Sequence, residues 1–508
     1  MHDVQVLKDK YKDSVRLLEA TRSMLAVDGV DYAWALMGTP ANLDTLSGEG
    51  FESLDAVSAN DLVLAVQSND ATALVAAFQI ADEELFAAAS GSAAVEAAMA
   101  AHLEAAIAEQ EGSNLAIVSV PGPYATLETQ KALSAGLDVL LFSDNVPLAD
   151  EIELKERARD LGRLVMGPGA GTAMVAGTGL GFANRVGAGP VGIVAAAGTG
   201  AQEAMALCER WGVGVSHVIG VGGRDLSAAV GGLMARAGIA ALEADPGTEA
   251  ILLVSKPPSP EVAQALLNTA PSKPLVAALV GLQGELEGVA TEIVVCNTLE
   301  QGVVLTLQGM GLNVPDRIGS TPDAVANVIT ALPQTRTRLV GLFSGGTLCY
   351  EAMTIATNHI GAIHSNTPLD KTWTVPAPAN AHVCLDLGEE EYTDGRPHPM
   401  IDPQARIEWM RQQVEDPTVA VVLLDVVIGD GSHANPASLL GPVVEEIVGS
   451  GATVVAYVLG TDLDPQGFES QRQILRDAGC IVTETAARAA LAAAAIVNRD
   501  PALVYDDL

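Results

Sequence analysis

The feature that most constrains the fold is a repeated order of apolar strand, glycine-bearing turn and helical segment, which begins at Asn114 and continues almost to the end of the chain. Its strands are continuously apolar, as at residues 191–195 and 419–425. Strands of this kind are covered on both faces, so the pattern predicts doubly wound parallel sheets, both Rossmann-like and flavodoxin-like. There are too many units for one small sheet, and 508 residues exceed what one hydrophobic core supports. We therefore expect a multi-domain α/β protein.

The pattern before Asn114 is different, since short apolar runs alternate with helical patterns and a helix is predicted over residues 93–110. This indicates a small amino-terminal α+β module. Changes of pattern predict five segments: the module (1–110), a first doubly wound domain (111–188), a second (189–312), a proline-containing linker (313–336) and a last, flavodoxin-like domain (337–508).

The charge of the chain excludes several classes of partner. Lys and Arg number 27 against 63 Asp and Glu, a formal net charge of −36. A surface this acidic repels phosphate backbones and anionic lipid headgroups, so neither nucleic acid nor a membrane is expected as a partner. A small anionic substrate would have to be held by local backbone dipoles, at glycine-rich turns and helix N-termini.

The cysteines and the apolar segments predict a cytoplasmic protein. The five cysteines contain no C-x-x-C pair and are odd in number, which favours free thiols over a disulfide framework. Residues 1–28 hold no apolar signal-peptide core, and no run is long enough for a transmembrane span. The alanine-rich stretch 486–497 contains Arg488 and is expected to be a core helix.

Five glycine-rich turns follow predicted strands. In open parallel sheets, ligands bind beyond the carboxyl ends of strands, where glycine lets the backbone approach them. A single glycine cluster is more often a tight turn, but repetition at strand ends favours binding of a carboxylate, phosphate or pyrophosphate. None is a P-loop, and the turn at 344–347 weakly repeats the one at 197–200. The candidate anion-binding residues are Gly167, Gly169, Gly171, Thr172, Gly198, Thr199, Gly200, Gly222, Gly223, Arg224, Gly345, Gly346, Thr347, Gly429, Asp430 and Gly431.

Three further residues are candidates for catalysis. Arg396 and His398 lie in a proline-stiffened loop, where a guanidinium can grip an oxyanion and an imidazole can transfer a proton. Lys256 follows a predicted strand, a position that favours an anionic ligand. The alternative for all three is an ordinary solvent-facing side chain. The histidines show no metal-ligand spacing, so no metal is assigned.

Several motifs resemble succinyl-CoA synthetase. Residues 166–171, 197–203, 220–226 and 245–250 look like its α subunit, and residues from 339 onward look like the carboxyl-terminal ligase domain of its β subunit. The likeness to the FdrA family is closer and covers nearly the whole chain, through residues 38–42, 254–258 and 395–402. By this resemblance, segment 111–188 is CoA-binding-like, 189–312 is α-like ligase and 337–508 is β-like ligase.

Two departures from the synthetase bear on chemistry. The loop that carries its phosphohistidine corresponds to residues 278–287, which contain no histidine, and Lys256 stands where the synthetase has a carboxylate. No ATP-grasp domain precedes the β-like part. The resemblance further implies that helix N-termini near Gly198–Thr199 and near Gly429–Asp430 face one another and stabilise a phosphoryl-like group.

The FdrA resemblance implies one subunit of an oxamate carbamoyltransferase built from three different chains. The reaction would be phosphorolysis of oxalurate to oxamate and carbamoyl phosphate, with phosphate as co-substrate and other subunits as partners. CoA binding stays open. The alternatives are an acyl-CoA synthetase that forms a nucleoside diphosphate and a non-catalytic scaffold subunit.

Overall fold

The computed structural model describes residues 1–12, 14–52, 54, 56–86, 100, 102–282, 284, 286–393 and 396–508. These residues form two compact units. One comprises residues 1–99 with 394–396, and the other comprises 100–393 with 397–508.

The amino-terminal unit is an α+β fold, as predicted. Its antiparallel sheet has the order β1–β3–β2, and strand β3 alternates between two small cores, with Leu64 on one face and Val63 on the other. Helix α2 was not predicted. The elements are β1 (His2–Leu7), α1 (Ser14–Leu25), β2 (Val30–Met37), α2 (Pro40–Gly48), β3 (Leu62–Ser68) and α3 (Ala71–Phe86).

The second unit begins with a three-stranded parallel sheet of order β4–β5–β6. The predicted helix over 93–110 is seen at its carboxyl end as α4, and its earlier part falls mainly outside the described residues. The elements are α4 (Leu103–Glu109), β4 (Leu115–Val118), α5 (Gly122–Ser134), β5 (Asp138–Leu141), α6 (Leu148–Leu161) and β6 (Val165–Met166).

A seven-stranded sheet of order β13–β12–β11–β9–β10–β7–β8 follows. Its first five strands are parallel, and the hairpin β7–β8 adds antiparallel to β10. The elements are β7 (Thr172–Val175), β8 (Thr178–Gly181), β9 (Ala188–Ala196), α7 (Gly198–Arg210), β10 (Val215–Gly220), α8 (Leu233–Ala244), β11 (Ala250–Ser255), α9 (Pro260–Leu267), β12 (Leu275–Leu279), β13 (Val294–Cys296) and α10 (Leu299–Gly309).

The last sheet has six parallel strands in the order β15–β16–β14–β17–β18–β19. The elements are α11 (Thr321–Ala331), β14 (Arg338–Phe343), α12 (Gly346–Ile360), β15 (Ile363–His364), β16 (His382–Asp386), α13 (Glu390–Thr393), α14 (Gln404–Val414), β17 (Val419–Val427), α15 (Pro436–Gly449), β18 (Thr453–Leu459), α16 (Phe468–Asp477), β19 (Ile481–Val482), α17 (Ala486–Asn498) and a 3₁₀ turn (Pro501–Tyr505).

The two large sheets share one hydrophobic core. Ile193 on β9 and Leu423 on β17 both point into it, and helices α7, α10, α12 and α17 fill the space between the sheets. The neighbouring residues Val194 and Leu424 point into separate cores on the outer faces. Both sheets are therefore covered on both faces, which confirms the predicted doubly wound α/β architecture.

The structure also bears on several local predictions. The alanine-rich stretch is a core helix, since residues 486–496 of α17 are all buried. All five cysteines are free and buried. Strands β7 and β8 lie before the proposed boundary at residue 188 yet pair into the seven-stranded sheet, so this sheet spans that boundary. Within the described ranges, no helix combines the length and apolar character required to cross a bilayer.

Candidate functional site

Two helices meet at their N-termini, and each of them follows a strand of a different large sheet. Helix α7 follows β9, and helix α12 follows β14. The backbone N–H of Thr347 donates to Oγ1 of Thr199 over 3.3 Å. A methyl group added at Gly200 would lie 3.0 Å from Cγ2 of Thr347, and one added at Gly345 would lie 2.8 Å from Cγ2 of Thr199. Each helix start thus places a threonine against a glycine of the other.

We call residues 198–200 and 345–347 the paired-helix site. The sequence of both helices begins Gly-Thr and has glutamate at the sixth position, so the weak repeat seen in the sequence corresponds to two facing elements. The residues preceding the helices, Ala197 and Gly345, provide no side-chain cap. The first amides of a helix have no intrahelical acceptor and carry the positive end of its dipole. Two such ends at one point favour an anion between them.

A buried ion pair lies under the start of helix α12. The carboxylate of Asp425 accepts hydrogen bonds from the backbone N–H of Ser344 over 2.8 Å and of Gly345 over 2.7 Å. Arg406 donates to the same carboxylate over 2.8 Å, and both side chains are buried. The arginine balances the charge of the aspartate, so this pair fixes the turn before α12 without filling the site with negative charge.

Asp386, the last residue of β16, is a site residue that sequence analysis missed. Its Oδ1 accepts the backbone N–H of Gly388 over 3.0 Å, while Oδ2 would lie 2.2 Å from a methyl group added at Gly346. Only 3% of the residue is exposed, and burial raises the pKa of its carboxyl group to about 7. A lone carboxylate after an apolar strand carries no motif, and its strand-end position was the available signal.

Lys256 follows the carboxyl end of β11, as predicted. Its ammonium lowers the pKa of Asp386, in opposition to the effect of burial, and it also lowers that of the Cys349 thiol on helix α12. Lys256 therefore acts electrostatically on two groups at or next to the paired-helix site. Its role in binding an anion stays a prediction.

His398 lies beside the site and is uncharged. A methyl group added at Gly388 would lie 2.6 Å from its Nε2, and its Nδ1 accepts the backbone N–H of Met400 over 3.2 Å. The proton is therefore on Nε2. Burial lowers the pKa of His398 to about 4, so at neutral pH the ring is a hydrogen-bond donor rather than a charged acid. Arg396 groups with the amino-terminal unit and is exposed, and its predicted role stays a prediction.

Two of the predicted glycine turns pack against each other. The turn with Gly167, Gly169, Gly171 and Thr172 lies against the turn after β10, since a methyl group added at Gly222 would lie 2.7 Å from the backbone of Gly167. Close backbone packing explains Gly167 and Gly222. Gly171 meets only a side-chain carbon of Phe182 at 3.7 Å, and Gly169 and Gly223 have open space around them.

Arg224 is engaged within the protein. Its Nε lies 2.7 Å from Oε2 of Glu151, and Nη2 donates to the carbonyl of Val146 over 2.7 Å. The buried ammonium of Lys155 bonds Glu151 and Asp225, each over 2.8 Å. Anion binding by Arg224 stays a prediction, and the structure shows that its charge is already paired with Glu151.

No helix begins at the turn with Gly429, Asp430 and Gly431, whereas the resemblance implies a helix N-terminus there that faces helix α7. Strand β17 ends at Val427, and α15 starts at Pro436. The N–H of Asp430 donates to the carbonyl of Ala183 over 2.8 Å, and its carboxylate pairs with Arg185 at 2.8 Å. The N–H of Gly429 donates to Gln466. The partner of helix α7 is instead the start of α12.

Buried glutamates stand one turn further along both helices. Glu203 of α7 accepts the hydroxyl of Tyr457 over 2.6 Å, and Glu351 of α12 accepts the backbone N–H of Leu299 over 2.6 Å. Burial raises the pKa of Glu203 to about 7 and that of Glu351 to about 8. Each of these acids bonds to an element of the other sheet, so they hold the two layers together rather than bind a ligand.

Two family models match the chain. One, described as CoA-ligase, matches residues 342–496, and the other, described as AllF, heavy metal-associated domain, matches residues 1–111. The second description does not fit the donors present, because residues 1–111 contain no cysteine and only two histidines. Of these, His2 packs against the ring of Phe51, and His102 caps helix α4 and pairs with Glu104.

Curated proteins of similar sequence indicate the same relationship. The chain is 27% identical to malate–CoA ligase subunit alpha of Methylorubrum extorquens, over 44% of this chain and 78% of that protein. It is 28% identical to the ADP-forming succinate–CoA ligase subunit alpha of Aquifex aeolicus, over 45% and 79%. Uncharacterized protein YahF of Escherichia coli is 36% identical over 96% of this chain and 97% of its own length. The chain therefore belongs to the family that contains YahF, within the wider group of proteins related to the succinate–CoA ligases.

Proposed function

We propose that this chain is an FdrA-type subunit of a phosphate-dependent acyl transferase, with carbamoyl transfer as in oxamate carbamoyltransferase as its reaction. Phosphate and oxalurate would give carbamoyl phosphate and oxamate. One oxygen of phosphate attacks the carbamoyl carbon, and the bond from that carbon to the oxamate nitrogen breaks. Phosphate loses one proton and the oxamate nitrogen gains one, so the reaction takes up or releases no net proton.

The observation that carries this function is the meeting of the starts of α7 and α12. Both helix starts carry first-turn backbone N–H groups and the positive end of a dipole, and Lys256 adds a positive charge. A tetrahedral anion and the oxyanion of a tetrahedral carbon are the chemical species that such a site stabilises. Fixed amide dipoles need no reorganisation as charge develops, which favours the transition state over the ground state.

The absence of a phosphohistidine supports direct use of phosphate. Residues 278–287, which correspond to the synthetase loop, contain no histidine. His398 is tied to the N–H of Met400 through Nδ1 and has a lowered pKa, so it is a poor covalent carrier of phosphate. Phosphate bound between the helices would then be the nucleophile itself.

Release of carbamoyl phosphate from oxalurate tests this function. The full chain, reconstituted with the chains that co-purify with it, should form carbamoyl phosphate only when inorganic phosphate is present. Lys256→Met should raise the KM for phosphate roughly tenfold or more, because one cation next to a phosphate contributes about 1–3 kcal/mol. Lys131→Met removes the same charge from a partly exposed ion pair with Glu128 and should leave the KM unchanged. A rate of turnover that does not depend on phosphate, or equal KM values for phosphate in the two variants, would contradict the proposal.

A second function is favoured by the CoA-ligase family match. An acyl-CoA ligase that forms a nucleoside diphosphate would use the same paired-helix site to hold a phosphoryl group in transit. The purified chain would then form a thioester from ATP or GTP, CoA and a carboxylic acid. Detection of that thioester, without any phosphate-dependent cleavage of oxalurate, would make the ligase the better assignment.

A further inference from the structure

The carboxyl group of Asp386 has one unused oxygen, and this oxygen points into the paired-helix site. Oδ1 accepts the N–H of Gly388, and the backbone of Asp386 is held on both sides by the side chain of Asn366, at 2.9 and 3.0 Å. Among the described residues, Oδ2 has no hydrogen-bond partner, and it abuts the first residue of α12, Gly346. The residue is 97% buried. Its position is thus fixed, and Oδ2 is left available for a further hydrogen bond at Gly346.

Charged groups around Asp386 favour its protonated form on balance. Burial is the largest effect, and the carboxylates of Glu389 and Asp425 add to it, while Lys256 opposes it. The resulting pKa of about 7 means that proton loss occurs near neutrality. An ionised carboxylate at this point would repel an anion held by the helix N-termini, whereas a protonated one would donate a hydrogen bond to it.

The remaining neighbours do not supply a competing proton. His398 is neutral above pH 4 and holds its proton on Nε2. Burial keeps the pKa of the Cys349 thiol well above its usual range. Arg406 is bound to Asp425 and carries a permanent charge. None of these three groups therefore exchanges a proton near neutral pH.

We propose that Asp386 is the proton donor of the paired-helix site: it is protonated when an anion is bound, and its Oδ2–H bonds that anion. The binding part of this role stands on the structure of the site, whereas the catalytic part rests on the proposed function. In the carbamoyl-transfer reaction, the bond between the carbamoyl carbon and the oxamate nitrogen breaks, and its electron pair stays on nitrogen. The nitrogen takes the proton from Oδ2 of Asp386 as this bond breaks. The carboxylate then takes the proton that phosphate loses on forming its bond to carbon, which restores the acid.

Binding of inorganic sulfate to the full chain tests the first part. Sulfate remains a dianion throughout the range from about pH 6 to about pH 9, so changes in affinity report on the protein. Wild-type affinity should fall about tenfold for each pH unit above the pKa of Asp386. Asp386→Asn keeps an acceptor for Gly388 and should bind sulfate with little pH dependence. Glu389→Gln removes a neighbouring charge and should shift the midpoint to lower pH without abolishing it.

Calorimetry of the wild type alone gives a second measurement, which does not depend on the folding of a variant. When sulfate binds near pH 8, the protein should take up close to one proton. The number of protons is obtained from the dependence of the binding heat on the ionisation enthalpy of the buffer. No proton uptake, or an unchanged pH profile in Asp386→Asn, would overturn the proposal.

Turnover separates failure of this inference from failure of the proposed function. In the carbamoyl assay, Asp386→Asn should lower kcat at least a hundredfold while the KM for phosphate is not raised. If oxalurate is not a substrate but proton-linked sulfate binding still requires Asp386, only the proposed function fails. If carbamoyl phosphate forms at the wild-type rate in Asp386→Asn, only the catalytic role of Asp386 fails.

Discussion

At the scale of single residues, Gly200 sets how closely the two helix starts approach. A methyl group there would lie 2.9 Å from Cγ1 of Val254 and 3.0 Å from Cγ2 of Thr347, closer than side-chain carbons normally pack. We therefore expect Gly200→Ala to push the helix starts apart, to lower the free energy of unfolding by about 1–3 kcal/mol and to weaken sulfate binding. Gly198→Ala, two residues earlier, meets no atom within 4 Å and should be neutral or slightly stabilising in urea unfolding. Equal loss of stability in both variants would contradict this view of Gly200.

At the scale of elements, Asp425 and Arg406 anchor the turn between β14 and α12. Removing the carboxylate leaves Arg406 buried without a counter-ion, so Asp425→Ala should cost roughly 3–5 kcal/mol of unfolding free energy. The double variant Asp425→Ala with Arg406→Met should cost less than the sum of the two single changes. Denaturant unfolding of the four proteins measures this coupling.

The pair of Asp416 with Arg338 is a control at the opposite end of the sheet, because Arg338 begins β14 and Asp416 lies just before β17. Its side chains are 28% and 17% exposed, against 1% and 2% for Asp425 and Arg406. Asp416→Ala also removes the hydrogen bonds that Oδ1 accepts from the N–H and hydroxyl of Thr418, so it should cost about 1–2 kcal/mol, still less than Asp425→Ala. A similar cost at both ends would mean that burial does not govern the strength of these pairs.

The helices and strands also show which parts of the fold could be predicted from the sequence pattern. Apolar runs located the buried strands, because a strand covered on both faces is apolar throughout. The β7–β8 hairpin was missed, since Gly177, Gly179 and Gly181 mark turns more strongly than strands. Among site residues, the Gly-Thr starts of α7 and α12 carried a repeat that could be recognised, whereas Asp386 carried none. The resemblance pointed to Gly429 as the partner of α7, and the contact that the structure shows, Thr199 with Thr347, joins positions 148 residues apart.

At the scale of the whole molecule, Glu351 ties the two large sheets together at an electrostatic cost. It belongs to helix α12 but accepts the N–H of Leu299 at the start of α10, and its Oε2 is buried with no partner among the described residues. Burial raises its pKa from an ordinary value of 4.5 to about 8, so between these values the folded form holds a proton that the unfolded form has lost. Stability from this group is therefore full below about pH 4.5 and is lost as the pH rises through about 8.

Glu351→Gln should abolish that loss, because the amide keeps an acceptor for Leu299 and has no charge to bury. The variant and the wild type should unfold alike at low pH, and above pH 8 the variant should be more stable by a few kcal/mol, since each pKa unit corresponds to about 1.4 kcal/mol. Urea unfolding at a series of pH values measures the difference, which includes the repulsion of Glu351 by the carboxylates of Glu203 and Glu300. Glu446→Gln, at an exposed position on α15, should follow the wild-type profile throughout. If the Glu351→Gln difference stays constant with pH, Glu351 is already ionised in the folded protein, and the two sheets are joined across a buried carboxylate rather than a neutral acid.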